Sequence, residues 1–209
     1  MSKKILLYRG KKNESVREAT RTIRGWAEKS GFSLREITTQ DDITREENSA
    51  EGEIVLLSLG GDGSFLRAAD LIAPFRIPIL GINLGKLGFL TGLDDSNLKE
   101  SLERVFRGGF SVKELSRLRC SLDLENDKES SVFTALNEVV ISRGNTTGLA
   151  NIELHLNGKK VATYPGDGLI VSTPTGSTAY SLSCGGPLIT RNTAAFSITP
   201  LNVHKLGLR

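Results

Sequence analysis

Short apolar runs without alternation dominate the first half of this chain: Ile5-Leu-Leu-Tyr8, Ile54-Val-Leu-Leu-Ser-Leu59 and Ile77-Pro-Ile-Leu80. A strand that is apolar on both faces needs cover on both, as in a parallel sheet between helix layers. The intervening sequence supplies the helices. Val16, Ala19, Ile23, Trp26 and Ala27 recur at helical spacing, with Asn13 placed to cap the start and Gly31 to close the end. Phe32 to Ile37 reads as a strand and Ser64 to Ile72 as a second helix. Leu98, Leu102, Val105 and Phe106 form one face of a third helix, capped by Ser96 and ended by Gly108-Gly109. Asp41 to Gly52 is polar and reads as a solvated connection. Strands alternating with helices predict an α/β N-terminal domain, a parallel sheet with flanking helices, over residues 1–110.

The pattern changes after Ser111. Ile152, Leu154 and Leu156 alternate with Glu153 and His155, which turns His155 to solvent and leaves it no role. Asn157-Gly158 follows at once, a strong hairpin signal. Leu118 to Leu124, Val132 to Ile141 and Leu169 to Val171 read as strands, and Thr178 to Cys184 as a short helix. A mostly β C-terminal domain over 111–209 is expected, and a length of 209 residues agrees with two domains. The net charge of +3 gives no reason to expect nucleic acid or an anionic membrane as partner. No apolar run approaches the roughly 18 residues of a transmembrane helix, and the apolar stretch after Met1 is too short for a signal peptide. Cys120 and Cys184 make neither a disulfide framework nor a Cys-rich zinc site, so a reducing, cytoplasmic setting is expected.

Glycine is the one skew, with 22 residues, most of them in tight groups after residue 50. Gly60-Gly-Asp-Gly63 lies between a buried strand and a helix, where an open α/β sheet binds ligands and a helix N-terminus offers amides to an anion. It fits neither the P-loop nor the Rossmann fingerprint. Asp62 would repel phosphates unless it holds a metal or accepts a proton from an attacking hydroxyl. On the tetrapeptide alone, an Asx-turn accounts for it equally well. Gly81-Ile-Asn83 and Leu87-Gly-Phe-Leu90 form a second glycine-rich strand end. Asn137 and Glu138 are adjacent polar residues at a strand: either one of them faces the core side and must be satisfied there, or, the commoner case, they are a strand-end pair at the surface. The run Gly166 to Pro187 is the most informative, because its Thr173-Pro-Thr-Gly-Ser-Thr178 turn offers hydroxyls and amides without bulk to a sugar, amide or base edge. Residues 161–209 hold only Asp167, Arg191, Lys205 and Arg209 as charges, which marks a buried, interfacial or pocket-lining stretch.

Together these segments, with Gly185-Gly-Pro187, resemble the NAD kinase family, in order and approximate spacing from residue 5 to about 204. The Gly-Gly-Asp-Gly turn is shared with lipid kinases and phosphofructokinases; the Asp167 to Tyr180 run is highly specific. The resemblance implies an α/β and a β domain, and phosphorylation of the adenosine-ribose 2′-hydroxyl of NAD by ATP with a divalent metal such as Mg²⁺, giving NADP. It implies Asp62 as the proton acceptor, and Gly60, Gly61 and Gly63 around the phosphates. Phe89 corresponds to a pocket aromatic, and Asn137 and Glu138 to ligands of the adenosine part. Asp167, Thr178, Ala179, Tyr180, Ser181, Leu182 and Ser183 correspond to NAD contacts, with His204 near the pocket. A homo-oligomer, dimer or tetramer, is implied. No residue is assigned as a metal ligand; Arg67 and Lys86 are the nearest cations to the phosphate motifs, which favours a metal ion there. Two departures stand out: Pro165 where many relatives carry a basic residue, and an end at Arg209 where relatives continue through further strands, so the β domain is expected to be incomplete. A diacylglycerol-type lipid kinase and a non-catalytic nucleotide-binding module are the alternatives.

Overall fold

Ile5, Leu6, Leu7, Leu56, Leu57 and Leu59 are wholly buried, as two-sided cover of the first two apolar runs requires. The computed structural model describes residues 4–10, 13–43, 54–85, 88–123, 131–145 and 147–203. The chain divides into two compact units, the first ending at Lys113 and the second beginning at Glu114. In the first unit, β1 (Lys4–Arg9), β2 (Ser33–Ile37), β3 (Ile54–Leu59), β4 (Ile79–Asn83) and β5 (Leu93–Asp94) form one parallel sheet, ordered β2-β1-β3-β4-β5. Helices α1 (Glu14–Ser30) and α3 (Leu98–Phe106) pack on one face with Ile5, Leu7, Leu57 and Leu59. Helix α2 (Asp62–Leu71), through Ala68, belongs with Leu6, Leu56 and Ile77 on the other. Alternate residues of β1 thus feed two separate cores.

The caps of α1 are as the sequence predicts. Asn13 Oδ1 accepts the Val16 amide at 3.0 Å, and Gly31 closes the helix in the left-handed region at φ 74. Three boundaries differ. Helix α2 starts at Asp62 rather than Ser64, because Gly60, at φ 132, turns the chain early enough for Gly61 to cap it. Helix α3 is preceded by Asn97, since the Ser96 amide and hydroxyl both donate to Asp94 Oδ1 instead. The fourth strand runs from Ile79 to Asn83 rather than from Ile77 to Leu80; Pro78 has no amide to give a ladder, and only its carbonyl pairs, accepting from Leu56.

In the second unit, β6 (Leu118–Leu122) pairs antiparallel with β7 (Ser131–Ala135). Strands β8 (Glu138–Ser142), β11 (Gly168–Ser172) and β12 (Ser197–Leu201) form a three-stranded sheet with β11 central. Strands β9 (Ala150–Leu156) and β10 (Lys159–Gly166) form the expected hairpin, turning through Asn157 at φ 52 and Gly158 at φ 76. His155 is exposed beside Glu153, at 3.3 Å. The single strand expected over Val132 to Ile141 is two. The chain leaves β7 for another sheet at Leu136-Asn137, whose carbonyls accept the hydroxyl and amide of Thr173 at 2.6 and 2.9 Å. The expected helix over Thr178 to Cys184 is a 3-10 turn, Gly176–Thr178, followed by α4 (Tyr180–Ser183).

Trp26 joins α1 to α3 and β2, its ring 5.3 Å from that of Phe32 and 5.0 Å from that of Phe106. Its indole N–H is buried without a partner among the described residues. Trp26→Ala is expected to cost about 3–5 kcal/mol. Trp26→Phe should cost less than about 1.5 kcal/mol, since it keeps an aromatic ring and removes a buried orphan donor. Urea unfolding followed by circular dichroism checks this; equal losses in the two variants would contradict it.

Candidate functional site

A parallel sheet brings every strand's carboxyl end to one edge, and the first unit's glycine motifs gather there. The amide of Gly60 donates to Ile82 O at 3.0 Å, tying the end of β3 to β4. A Cβ on Gly60 would stand 2.4 Å from Ser64 Oγ, so the first turn of α2 seats only on glycine there. Among the described residues nothing lies within 4 Å of where a Cβ on Gly61 or Gly63 would be. The Ser64 and Phe65 amides both donate to Gly61 O, at 2.9 and 3.2 Å, and the amides before them lie ahead of the first carbonyl the helix can offer. Asp62 sits among them, and its carboxylate is engaged: Oδ2 accepts the Phe89 amide at 2.8 Å and Oδ1 the Leu90 amide at 3.0 Å. A Cβ on Gly88 would be 2.2 Å from Asp62 Oδ1, so glycine there is what lets the loop close on the carboxylate. The structure joins the two motifs directly, through the Asp62 carboxylate. The Phe89 ring is 71% exposed; its backbone, not its ring, holds Asp62. Arg67 is on the exposed side of α2, while Lys86 and Leu87 lie outside the described residues. An open pocket of about 640 Å³ lies elsewhere in this unit, between α1 and α3 among Glu18, Asp95 and Glu103.

In the second unit the hydroxyl-rich turn is mostly spent on itself. Thr173 Oγ1 donates to Leu136 O and accepts the Gly176 amide, Ser177 Oγ donates to Pro174 O and accepts the Ile189 amide, and Thr178 Oγ1 donates to Thr175 O. A Cβ on Gly176 would lie 2.2 Å from Asn137 O, so the turn is pressed onto the β7–β8 junction. These bonds build the turn. Ser181 is wholly buried, with its Oγ 2.9 Å from Thr199 Oγ1.

What the turn supports is Asn137 and Glu138. Asn137 Oδ1 and Glu138 Oε2 are both buried acceptors without a partner among the described residues. Burial pushes the Glu138 carboxyl above its ordinary value. The polar group that one reading of the sequence requires to be satisfied on the core side is here left as an open acceptor. Asp167, Tyr180 and Ser183 line one open pocket of about 600 Å³ with Ser142, Arg143, Cys184 and Asn202. Cys184 beside Tyr180 pushes its phenol up. Arg143 Nε stands 3.3 Å from Asp167 Oδ1, and Asn202 Nδ2 donates to Oδ2 at 2.8 Å. Sequence reasoning missed Arg143 and Asn202, which carry no motif signal; only the convergence of β8 and β12 on β11 reveals them. Thr178 and Ala179 are half-buried and Leu182 is exposed; none lines the pocket. His204 lies outside the described residues.

Family models match both parts of the chain. The family model of the ATP-NAD kinase N-terminal domain matches residues 7–110, and that of the ATP-NAD kinase C-terminal domain residues 136–209. The NAD kinase of Caldanaerobacter subterraneus subsp. tengcongensis is 43% identical over 182 residues, 87% of this chain and 60% of that protein. That of Flavobacterium psychrophilum is 44% identical over 157 residues, 74% of this chain and 53% of that protein. The chain therefore spans little more than half the length of these relatives. A crystal structure of yeast NADH kinase complexed with NADH superposes with a TM-score of 0.85 at 26% identity, over 100% of this chain and 68% of that one. An NAD kinase from Archaeoglobus fulgidus in complex with ATP shares the fold, with a TM-score of 0.72 at 24% identity over 99% and 75% of the two chains. With both domain models matched in order, and relatives at 43–44% identity, this chain belongs to the NAD kinase family.

Proposed function

We propose that the chain acts as an NAD kinase, moving the terminal phosphoryl group of ATP to the adenosine-ribose 2′-hydroxyl of NAD. The observation that carries this reading is the Asp62 carboxylate, fixed by two loop amides beside the open start of α2 at the carboxyl edge of a parallel sheet. The hydroxyl oxygen attacks the γ-phosphorus, the bond to the bridging oxygen breaks with its electron pair leaving on ADP, and the hydroxyl proton passes to Asp62. Each Asp62 oxygen receives one amide and keeps a second lone pair for that proton. Gly60, Gly61 and Gly63 let phosphates approach the backbone. Asn137 and Glu138 offer unpaired acceptors to adenosine donors, and Asp167, Tyr180 and Ser183 a pocket wall to the dinucleotide.

A divalent ion fits as a companion of the ATP phosphates, since Mg²⁺ is commonly held by one or two carboxylates plus substrate oxygens. Among the described residues no three His, Cys, Asp or Glu side chains gather to cage it. When bound, it would neutralise charge on the transferring phosphoryl group. Exposed apolar residues of the second unit, such as Phe133, Val161, Leu188 and Phe196, favour a homo-oligomer, and the free thiols of Cys120 and Cys184 a cytoplasmic setting. The lipid-kinase alternative draws no support from the family matches.

An assay coupled to NADP formation tests the reading. Asp62→Asn removes the base and one amide acceptor together, and turnover is expected to fall by about a hundredfold or more with the fold intact. Gly88→Ala keeps the carboxylate but pushes it aside, and is expected to lower kcat about tenfold with KM for NAD little changed. Near-normal turnover in Asp62→Asn would remove the base assignment; NAD binding without any NADP from the unaltered chain would favour a non-catalytic module.

Glu138 gives a pH signature. Because its carboxyl titrates above 4.5 in the folded chain, the fold retains a proton there that the unfolded chain has lost. Stability from this group therefore falls as pH rises from 4.5 through the raised value. Glu138→Gln should abolish that fall and be the more stable chain at neutral pH. Parallel urea midpoints for the two chains across the range would contradict this.

A further inference from the structure

Asp167 is held from both sides by residues that no motif names. Arg143 directly follows β8 and Asn202 directly follows β12, the two strands that flank β11, and Asp167 directly precedes β11. The backbone locks this junction: the Arg143 amide donates to Asp167 O at 3.1 Å, and the Asp167 amide to Leu201 O at 3.0 Å. The side chains then converge, Arg143 Nε on Oδ1 and Asn202 Nδ2 on Oδ2. Arg143 is steadied by a second bond, from Nη1 to Gly148 O at 2.8 Å. Asn202 reaches the carboxylate from a left-handed backbone, φ 46, which few side chains other than Asn and Asp adopt readily. Pro165, two residues before Asp167, brings no charge from β10. All three residues line the 600 Å³ pocket with Tyr180 and Ser183.

Partly exposed ion pairs of this kind do little for stability. What the arrangement fixes is direction: one carboxylate whose two oxygens are each engaged from the side, with lone pairs left over at the pocket wall. We infer that Arg143 and Asn202 are positioning residues that hold Asp167 to accept N–H or O–H donors, amide or ribose hydroxyl, from the dinucleotide. The inference rests on the NAD kinase reading.

Asn202→Gly tests it cleanly, because glycine keeps the positive φ and only the side-chain amide is lost. On the full chain, Asn202→Gly and Arg143→Gln are each expected to raise KM for NAD about five- to tenfold, while kcat and KM for ATP stay within about twofold. In an Asp167→Ala background, calorimetric NAD affinity should no longer respond to Asn202→Gly, since that residue acts only through the carboxylate. Unchanged KM for NAD in both single variants, or a full Asn202→Gly effect surviving in Asp167→Ala, would overturn the inference while leaving the kinase reading in place. An unaltered chain that neither binds NAD nor forms NADP would overturn both.

Discussion

The pairing of β1 with β3 at the centre of a parallel sheet is the constraint on which the first unit depends. Both strands are apolar on both faces, so helices must cover both, and each helix must return the chain to the same starting edge. Every strand then ends on the opposite edge. That direction is why Gly60-Gly-Asp-Gly63, after β3, and Gly88-Phe-Leu90, after β4, meet although 27 residues separate Asp62 from Phe89. A carboxylate at the start of a helix would ordinarily turn to its own amides; here the returning loop supplies two from outside. The clasp fixes Asp62, and no described residue crowds Gly61 or Gly63.

The second unit reaches its arrangement by another route. Its strands are short and antiparallel, and what determines the geometry is where the chain changes sheets. At Leu136-Asn137 the backbone is pinned by Thr173, and Gly176 presses onto the same point; Asn137 and Glu138 emerge there with acceptors that no described residue satisfies. Leaving such groups unpaired costs stability. A donor-rich ligand recovers that cost, which connects the packing of the turn to the proposed binding role.

The elements of the first unit were legible because their signals are local: an Asn cap, a helical repeat ending at Gly31, and runs apolar on both faces. The boundaries that shifted did so for reasons of backbone and side-chain detail: the turn at Gly60, the missing amide of Pro78, and Asp94, which takes the Ser96 donors and frees Asn97 to precede α3. In the second unit the position of the Thr173 to Thr178 turn was readable, but its chemistry was not. Small polar residues suit both ligand contact and a self-bonded turn, and only the structure shows the internal partners of Thr173, Ser177 and Ser181. Arg143 and Asn202 were invisible for a third reason: each is unremarkable in sequence, and their shared target becomes clear only once β8 and β12 flank β11.

Phosphorus NMR of the unaltered chain with ATP, Mg²⁺ and NAD tests the proposed transfer of a phosphoryl group to the adenosine ribose. A new ribose 2′-phosphomonoester signal is expected, growing in step with ADP and absent without NAD. ATP converted to ADP and inorganic phosphate with no phosphorylated dinucleotide, or a phosphoryl group at another position of NAD, would contradict it.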